Sequence, residues 1–168
     1  FCLPDDAATE ASSFRESDTR IIDASTAHRV DDQWVYGLPE LSENHRQKIR
    51  NAALVSNPGC YPQGFILLVK PLIDEGIIEK QAALSCNAVS GYSGGGRQMI
   101  EEFTTADAQG QERLSVNDYG LTLSHKHVPE MRKHSGLTTN PLFLPTVANY
   151  YKGMIVRVPL HLETLTEG

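Results

Sequence analysis

Short apolar, β-branched runs alternate along the chain with longer amphipathic segments. Runs of strand character cover residues 19–23, 52–56, 82–90, 141–148 and 152–162. Segments of helical periodicity, bounded by capping or breaking residues, cover residues 5–16, 42–51, 61–75, 97–105 and 128–135. Residues 1–3 and 115–123 are predicted to be extended, and residues 34–40 to form a loop or a short strand. The alternation predicts an α/β fold.

The polar turn before Cys60 gives this cysteine an unusual setting. A strand-like run leads into Asn57-Pro58-Gly59, which has the composition of a tight turn, and a helical segment follows. Pro62 is tolerated only in the first turn of a helix, so it places Cys60 at the helix start. The free amides and dipole at a helix N-terminus favour the reactive thiolate. A cysteine is more often a small buried hydrophobe, but this setting predicts a nucleophile.

Composition and charge exclude several classes of protein. The hydrophobic content of 40% predicts a folded globular protein, yet no apolar run approaches the roughly 20 residues of a membrane span. The net charge is −6 and the basic residues are scattered, which argues against a nucleic-acid partner. Cys2, Cys60 and Cys86 form neither a disulfide framework nor a CxxC metal pair. We therefore predict no metal site and expect a reducing, cytoplasmic location.

Five blocks of sequence resemble, in order, those of the N-acetyl-γ-glutamyl-phosphate reductases, a branch of the semialdehyde dehydrogenase group. They are IDASTAHR at 22–29, VYGLPEL at 35–41, SNPGCYP at 56–62, SGYSGGGR at 90–97 and HKHVPE at 125–130. The DASTAHR and SGYSGGGR sequences most resemble those of the short-form members of this family. The resemblance implies that the intact protein reduces N-acetyl-glutamyl 5-phosphate to N-acetyl-glutamate 5-semialdehyde with NADPH in arginine biosynthesis. It also implies a thioester on Cys60 and release of phosphate.

The HKHVPE block supplies the predicted acid and base. The resemblance assigns proton transfer to His127, with His125 as the reserve candidate, and imidazole suits both tasks near neutral pH. Paired histidines can equally be ordinary loop residues or a chance metal site. Glu130 is predicted either to orient the imidazole as part of the catalytic set or simply to occupy the first turn of the following helix.

Substrate contacts are predicted on both sides of the nucleophile. The resemblance assigns Arg29, together with Ser25 in the same loop, to the substrate phosphate, which a guanidinium matches in a bidentate way. Asn57 and Gln63 flank Cys60 and are candidate donors to the developing oxyanion, as is the Cys60 amide.

The glycine-rich run is the predicted contact to the cofactor. The resemblance implies that this run passes close to the nicotinamide of NADP(H). The residues assigned to the cofactor are Ser90, Gly91, Ser93, Gly94 and Gly95. A glycine run by itself is more often a flexible turn, and this one has neither the GxGxxG order nor a P-loop lysine. Because the dinucleotide fingerprint is absent from the chain, we expect the 168 residues alone to bind NADP(H) poorly.

The resemblance also predicts a domain division. Residues 1–56 are expected to be the trailing part of an NADP-binding Rossmann domain. Residues 57–168 are expected to form an α+β catalytic and dimerisation domain, incomplete at its C-terminus, with the mixed sheet of semialdehyde and glyceraldehyde-phosphate dehydrogenases. The partners implied are a small acyl phosphate and further copies of the same chain, as a dimer or tetramer.

Other functions remain open from the sequence. Close variants act on aspartyl phosphate or a carrier-bound aminoadipyl phosphate. A non-catalytic assembly domain, with Cys60 as a relic, belongs to a different class. A cysteine hydrolase shares the cysteine and histidine but needs no cofactor, and the breadth of the resemblance makes it remote.

Overall fold

The computed structural model of the chain describes residues 1–13, 16, 18–110, 115–161 and 165. The helices are α1 Asp5–Ser13, α2 His45–Asn51, α3 Cys60–Asp74, α4 Gly96–Ala108 and α5 Val128–Ser135. The strands are β1 Ile21–Asp23, β2 Val35–Tyr36, β3 Leu54–Ser56, β4 Ser85–Gly91, β5 Val116–Asp118, β6 Leu142–Ala148 and β7 Met154–Arg157. Two 3₁₀ turns occupy Pro39–Leu41 and Tyr92–Gly95.

The first sheet is parallel, with strand order β1-β3-β2. Its register aligns both Asp23 and Tyr36 with Ser56, the last residue of the central strand. The carboxyl ends of parallel strands meet at one edge of a sheet, where α/β proteins bind their ligands. The loop after β1 and the turn that leads from Ser56 to Cys60 therefore start side by side.

The second sheet is mixed, with strand order β5-β6-β4-β7. β4 runs parallel to β6, while β5 and β7 run antiparallel to their neighbours. A parallel pair needs a crossover connection, and the segment between β4 and β6 contains α4, β5 and α5. The mixed sheet confirms the α/β fold with a mixed-sheet domain that the sequence predicts.

The main core lies where α3 and α5 pack against the second sheet. Tyr61, Phe65, Val69 and Ile73 recur at every fourth position of α3 and form one buried helix face. Their partners from the strands and α5 are also buried, and they include Cys86, Ala88, Val128, Met131 and Phe143. Full burial of one such large apolar side chain contributes about 1.5–3 kcal/mol, so this interface holds the start of α3 firmly in place.

Cys86 is part of this core. It is 0% exposed, and burial raises the pKa of its thiol to about 12. It therefore stays protonated and serves as a small apolar residue, in contrast to the exposed Cys60.

Several predicted elements differ in extent from the structure. The extended segment 115–123 is a strand only over Val116–Asp118, because a turn follows in which Leu123 has a φ of 59°. Residues 1–3 lie in no strand, although the Ala24 N–H donates to the Phe1 carbonyl at 2.9 Å. The glycine run begins as the end of β4 and continues as a 3₁₀ turn. Predictions for residues 14, 15 and 162 lie outside the described residues.

Candidate active site

One cavity of about 470 Å³ collects most of the predicted site residues. It receives side chains from the loops after β1, β3 and β4 and from the segment before α5. The predicted residues that line it are Cys60, His125, His127, Arg29, Asn57, Ser90, Gly94 and Gly95. Five predicted residues do not line it, and these are Glu130, Ser25, Gln63, Gly91 and Ser93.

Cys60 is the first residue of α3 and is exposed to solvent within this cavity. A helix start leaves four amide groups without partners in the helix. Here the Gly59 N–H donates to Glu130 at 2.6 Å, and Pro62 has no N–H. The Cys60 and Tyr61 amides remain, and both residues line the cavity. Two backbone donors are thus available beside the sulfur.

Residues 57–59 form the turn before the predicted nucleophile Cys60, here termed the nucleophile turn. Glu130 lies behind this turn and is 1% exposed. Its carboxylate accepts hydrogen bonds from the Tyr36 hydroxyl at 2.5 Å, the Gly59 amide at 2.6 Å and the Arg29 guanidinium at 3.4 Å. Burial raises the pKa of Glu130, whereas these partners act in the opposite direction. The predicted bond from Glu130 to an imidazole is not among the contacts of the described residues. Glu130 instead fixes the turn that precedes Cys60.

Gly59 is enclosed by charged and polar groups. A Cβ atom at this position would lie 2.8 Å from Arg29 Nη1, from Glu130 Oε2 and from His127 Nε2. These distances are shorter than any normal carbon contact, so a side chain at residue 59 would displace all three groups. The absence of a side chain lets them converge on the residue next to Cys60.

The Arg29 guanidinium is largely bound by the protein. Nε donates to the Asn57 carbonyl at 2.9 Å, Nη2 to the Ala24 carbonyl at 2.9 Å and Nη1 to Glu130 at 3.4 Å. The side chain lines the cavity but is only 9% exposed as a residue. Arg29 therefore ties the loop after β1 to the nucleophile turn.

Ser25 stabilises the loop that carries Arg29. Its hydroxyl donates to Asp23 at 2.5 Å and accepts from the Ala27 amide at 3.2 Å. Asp23 also contacts His28 Nδ1 at 2.8 Å, and His28 stacks on Trp34. Although burial opposes ionisation, the hydrogen bonds hold the pKa of Asp23 below its usual value. The predicted substrate contact of Ser25 stays a prediction.

The two histidines have different hydrogen-bond environments. His127 is 6% exposed, and burial lowers its pKa to about 3, so its ring is neutral at pH 7. Among the described residues its Nδ1 has no hydrogen-bond partner. His125 Nδ1 accepts the His127 backbone N–H at 3.2 Å, and burial lowers its pKa as well. A neutral ring that accepts at Nδ1 carries its proton on Nε2, so His125 is a donor at that nitrogen.

A chain of hydroxyl groups crosses the cavity wall. Tyr119 donates to the Tyr61 oxygen at 3.2 Å, and Tyr61 donates to Ser90 Oγ at 2.7 Å. Burial raises the pKa of both tyrosines, which therefore keep their protons. Because Ser90 accepts from Tyr61, its own hydrogen is free for another acceptor. Sequence reasoning missed both tyrosines: Tyr61 lay within the SNPGCYP block beside Cys60, but no motif marks Tyr119.

The glycine run divides into two parts. The Gly91 amide donates to the Gly153 carbonyl at 3.0 Å and the Ser93 amide to the Tyr151 carbonyl at 2.9 Å, so these residues anchor the turn. Gly94 and Gly95 line the cavity beside Ser90. The backbone of this second part is accessible from the cavity, as a flat ligand ring would require.

The two amide side chains beside Cys60 also differ. Asn57 lines the cavity, and its Nδ2 contacts the Pro58 carbonyl at 3.4 Å. Gln63 lies one helical turn away and donates to the Gly59 carbonyl at 3.4 Å. Of these two side chains, only Asn57 belongs to a residue that lines the cavity.

The described residues offer neither a metal-binding cluster nor a membrane-spanning helix. They contain no group of three or more histidine, cysteine or acidic side chains arranged to hold a metal ion. None of the described helices is long and apolar enough to cross a membrane.

The sequence is similar to those of several curated proteins. The N-acetyl-gamma-glutamyl-phosphate reductase of Trichormus variabilis is 51% identical over 98% of this chain and 52% of its own length. The enzymes of that name from Brucella anthropi and Burkholderia lata are 52% and 48% identical, over 98% and 99% of this chain and 53% of their own lengths. The chain thus spans about half the length of the curated relatives it matches.

Structural and family comparisons agree on the fold. Aspartate semialdehyde dehydrogenase II from Vibrio cholerae superimposes with a TM-score of 0.72 at 18% identity, over 94% of this chain and 53% of that one. The enzyme from Francisella tularensis gives a TM-score of 0.63 at 13% identity, over 91% and 55%. The family model described as semialdehyde dehydrogenase, NAD binding domain, matches residues 1–52, and the one described as semialdehyde dehydrogenase, dimerisation domain, matches residues 60–168. The chain belongs to the semialdehyde dehydrogenase family.

Proposed function

We propose that this chain forms the catalytic part of an NADPH-dependent reductase that converts N-acetyl-glutamyl 5-phosphate to N-acetyl-glutamate 5-semialdehyde in arginine biosynthesis. The observation that carries the proposal is an exposed cysteine at a helix start, in one cavity with two histidines. The names of the relatives at about 50% identity supply the substrate.

The first step forms a thioester on Cys60. Neutral His127 takes the thiol proton, and the thiolate attacks the acyl carbon. The carbon–oxygen bond to phosphate then breaks, and its electron pair leaves with the phosphate. The free amides of Cys60 and Tyr61, with Asn57 at the cavity wall, stabilise the oxyanion that develops on the acyl oxygen.

The second step needs a reductant, and the glycine run fits a nicotinamide ring. Ser90 has a free hydroxyl hydrogen, and the backbone at Gly94 and Gly95 borders the cavity. These three residues would hold the ring end of NADPH. When bound, NADPH supplies the hydride that reduces the thioester carbon. The oxygen on that carbon takes the proton from His127 and returns it as the carbon–oxygen double bond forms. The carbon–sulfur bond then breaks with its electron pair on sulfur, which releases the aldehyde and the Cys60 thiolate.

The histidine geometry favours His127 over His125 as the base. His125 is committed at Nδ1 to a backbone amide, so its remaining nitrogen donates and cannot accept a proton. His127 places Nε2 against the turn before Cys60, while its buried Nδ1 has no hydrogen-bond partner among the described residues. An anionic substrate in the cavity raises the proton affinity of His127, which burial alone keeps low. His125 then serves as a hydrogen-bond donor to the substrate.

We propose the division into residues 1–56 and 57–168 as well. The two family models meet between residues 52 and 60, where β3 ends and α3 begins. Assembly into a homo-oligomer through the second domain follows from the description of the family model that matches it.

Replacement of Cys60 by serine tests the proposed chemistry in the full-length protein. Phosphate-dependent reduction of NADP⁺ by N-acetyl-glutamate 5-semialdehyde should fall by at least ~10³-fold, because the hydroxyl is a far weaker nucleophile. Cys2→Ser, which changes an exposed thiol outside the cavity, should keep the activity.

A Cys60→Ser protein that retains more than a tenth of the activity would rule out the thioester. Wild-type activity that is higher on aspartate semialdehyde than on N-acetyl-glutamate 5-semialdehyde would reassign the substrate. The absence of activity on any aldehyde would favour an assembly role for the chain.

A further inference from the structure

We propose that Lys126, which stands between the two histidines in the chain, binds the α-carboxylate of the substrate, while Arg29 binds the phosphoryl group. The inference rests on the proposed function and deepens it. N-acetyl-glutamyl 5-phosphate has an anionic group at each end, and only its phosphoryl end has a predicted ligand. Lys126 is exposed and lines the same cavity as Cys60.

The lining of the cavity has the charges that such a substrate needs. Among the described residues that line it, Arg29 and Lys126 are the only arginine and lysine, and none is an aspartate or a glutamate. Burial lowers the pKa values of His125 and His127, so both rings are neutral at pH 7. The lining therefore matches a ligand with two anionic groups and an uncharged, acylated nitrogen.

The position of Arg29 fits the phosphoryl end of the substrate. Its Nη1 atom lies 2.8 Å from the place of a Cβ atom at Gly59, the residue before Cys60. Three of its N–H groups donate to two backbone carbonyls and to Glu130. A guanidinium has five N–H groups, so one on each terminal nitrogen remains for a ligand. The phosphoryl group is joined through one oxygen to the carbon that Cys60 attacks, which places it beside this cation.

Lys126 is the more distant of the two cations and the less constrained. Burial lowers the pKa of His127 most, and the charge of Arg29 contributes more to this than that of Lys126 does, because Coulomb interactions weaken with distance. Three carbon atoms separate the α-carboxylate from the acyl carbon, so its ligand must stand away from Cys60. The flexible four-carbon stem of a lysine suits that task.

The Lys126 ammonium is available for a ligand. It has no hydrogen bond or ion pair with the described residues, although it lies in the field of Asp5. Asp5 is itself occupied by Thr26, whose backbone amide donates to it at 2.8 Å and whose hydroxyl also binds it. The three N–H groups of the ammonium can therefore donate to a carboxylate.

The first experiment measures the reverse reaction of the full-length protein with two aldehydes. One is N-acetyl-glutamate 5-semialdehyde, and the other is 4-acetamidobutanal, which is the same molecule without the α-carboxylate. Lys126→Met should raise the KM for the first aldehyde at least about tenfold, because a hydrogen bond between charged groups is lost, and leave the KM for inorganic phosphate within twofold. On 4-acetamidobutanal, Lys126→Met and the wild type should have the same kcat/KM. Lys126→Arg should recover most of the affinity for the first aldehyde.

Lys80→Met is the matched control, since it removes the same charge from an exposed site outside the cavity. All the constants should be unchanged in this variant. An unchanged KM for N-acetyl-glutamate 5-semialdehyde in Lys126→Met would overturn the proposal. A tenfold rise in the KM for phosphate would overturn it in favour of a phosphate contact, and an equal loss on both aldehydes would overturn it in favour of a structural role.

A second measurement needs no turnover and so separates this proposal from the proposed function. N-acetyl-glutamate and 4-acetamidobutanoate, which lacks the α-carboxylate, are compared as protectants of Cys60 against neutral iodoacetamide. The wild type should need at least about tenfold less N-acetyl-glutamate for equal protection, whereas Lys126→Met should need equal concentrations of the two. This result would support the carboxylate site even if the protein were inactive on every aldehyde. A wild-type protein that does not distinguish the two compounds, or that neither protects, would exclude the site whatever its activity.

Discussion

Glu130 shows how a residue outside the cavity can position the turn before the proposed nucleophile. It receives hydrogen bonds from the nucleophile turn, from β2 and from the loop after β1. These partners come from distant parts of the chain, up to 101 residues away. A buried carboxylate is tolerated only when such partners satisfy it, and here the same bonds align the residue before Cys60.

Glu130→Gln should be destabilising, because the amide removes the charge that pairs with Arg29 and replaces one acceptor oxygen with a donor. Leaving buried partners unsatisfied costs about 1–3 kcal/mol, so the free energy of unfolding in urea should fall by about 2 kcal/mol. The exposed Glu43→Gln is the control and should have no effect. If the two variants unfold at the same urea concentration, the network around Glu130 does not hold the turn.

The sequence predicted most of the cavity residues and little of their bonding. Cys60, His127 and Ser90 lay in recognisable blocks, and turn and helix signals placed Cys60 at the start of a helix, as the structure shows. The contact between Glu130 and Gly59 joins residues 71 positions apart, and no local periodicity encodes it. Arg29 was predicted as a phosphate ligand from the resemblance and from the geometry of its guanidinium, whereas its bonds to two carbonyls depend on the parallel register of β1 and β3.

At the scale of elements, α5 is hydrogen-bonded to the loop between β1 and β2 and holds it in place. Glu130, Lys133 and His134 stand at helical spacing and face this loop. Lys133 binds the Val30 carbonyl at 2.7 Å, and His134 Nε2 lies 2.6 Å from the Arg29 carbonyl. α5 therefore joins the regions matched by the two family models.

The His134 contact predicts a dependence of stability on pH. Burial lowers the pKa of His134 from 6.5 to about 4. Between pH 6.5 and pH 4 the unfolded chain binds a proton on His134 and the folded chain does not. The contribution of neutral His134 to the free energy of unfolding is therefore fully present above pH 6.5 and is lost as the pH falls toward 4. His134→Gln keeps the donor without the titration, and its loss of stability from pH 7 to pH 5 should be smaller by up to about 2 kcal/mol. If the free energy of unfolding in urea falls equally for wild type and variant between pH 7 and pH 5, the prediction for His134 is wrong.

The helices and strands themselves were predictable, because their periodicity and caps are local. The five helices and seven strands of the described residues correspond to predicted segments, apart from their ends. The extended prediction for 115–123 was too long. The positive φ values of Gly120 and Leu123 that end the strand depend on packing against the segment before α5, which the residue types do not reveal.

At the scale of the whole molecule, one face of the second sheet is open. Leu142 and Leu144 of β6 and Ile155 of β7 are exposed on the face opposite α3, as the alternation along the strands requires. The register places Asn87 of β4 beside Leu144 and Arg157. Such an apolar face with polar neighbours fits the proposed homo-oligomer.

Leu144→Glu should disrupt this assembly, because a carboxylate buried in the contact loses its hydration. Sedimentation of the full-length protein should show a shift toward the monomer at micromolar concentration. Leu67→Glu, which introduces the same charge at an exposed position on α3, should keep the wild-type mass. A Leu144→Glu protein with the wild-type mass would place the interface elsewhere.

The crowded surroundings of Gly59 have a consequence for how this protein can vary. The ends of three side chains meet where a methyl group would stand, so any side chain at residue 59 must displace Arg29, Glu130 and His127, whatever its polarity. Substitutions at residue 59 are therefore limited by the available space and not by the polarity of the new side chain. Mutational tolerance should therefore be low at residue 59, which has no proposed chemical role, directly beside the proposed nucleophile Cys60.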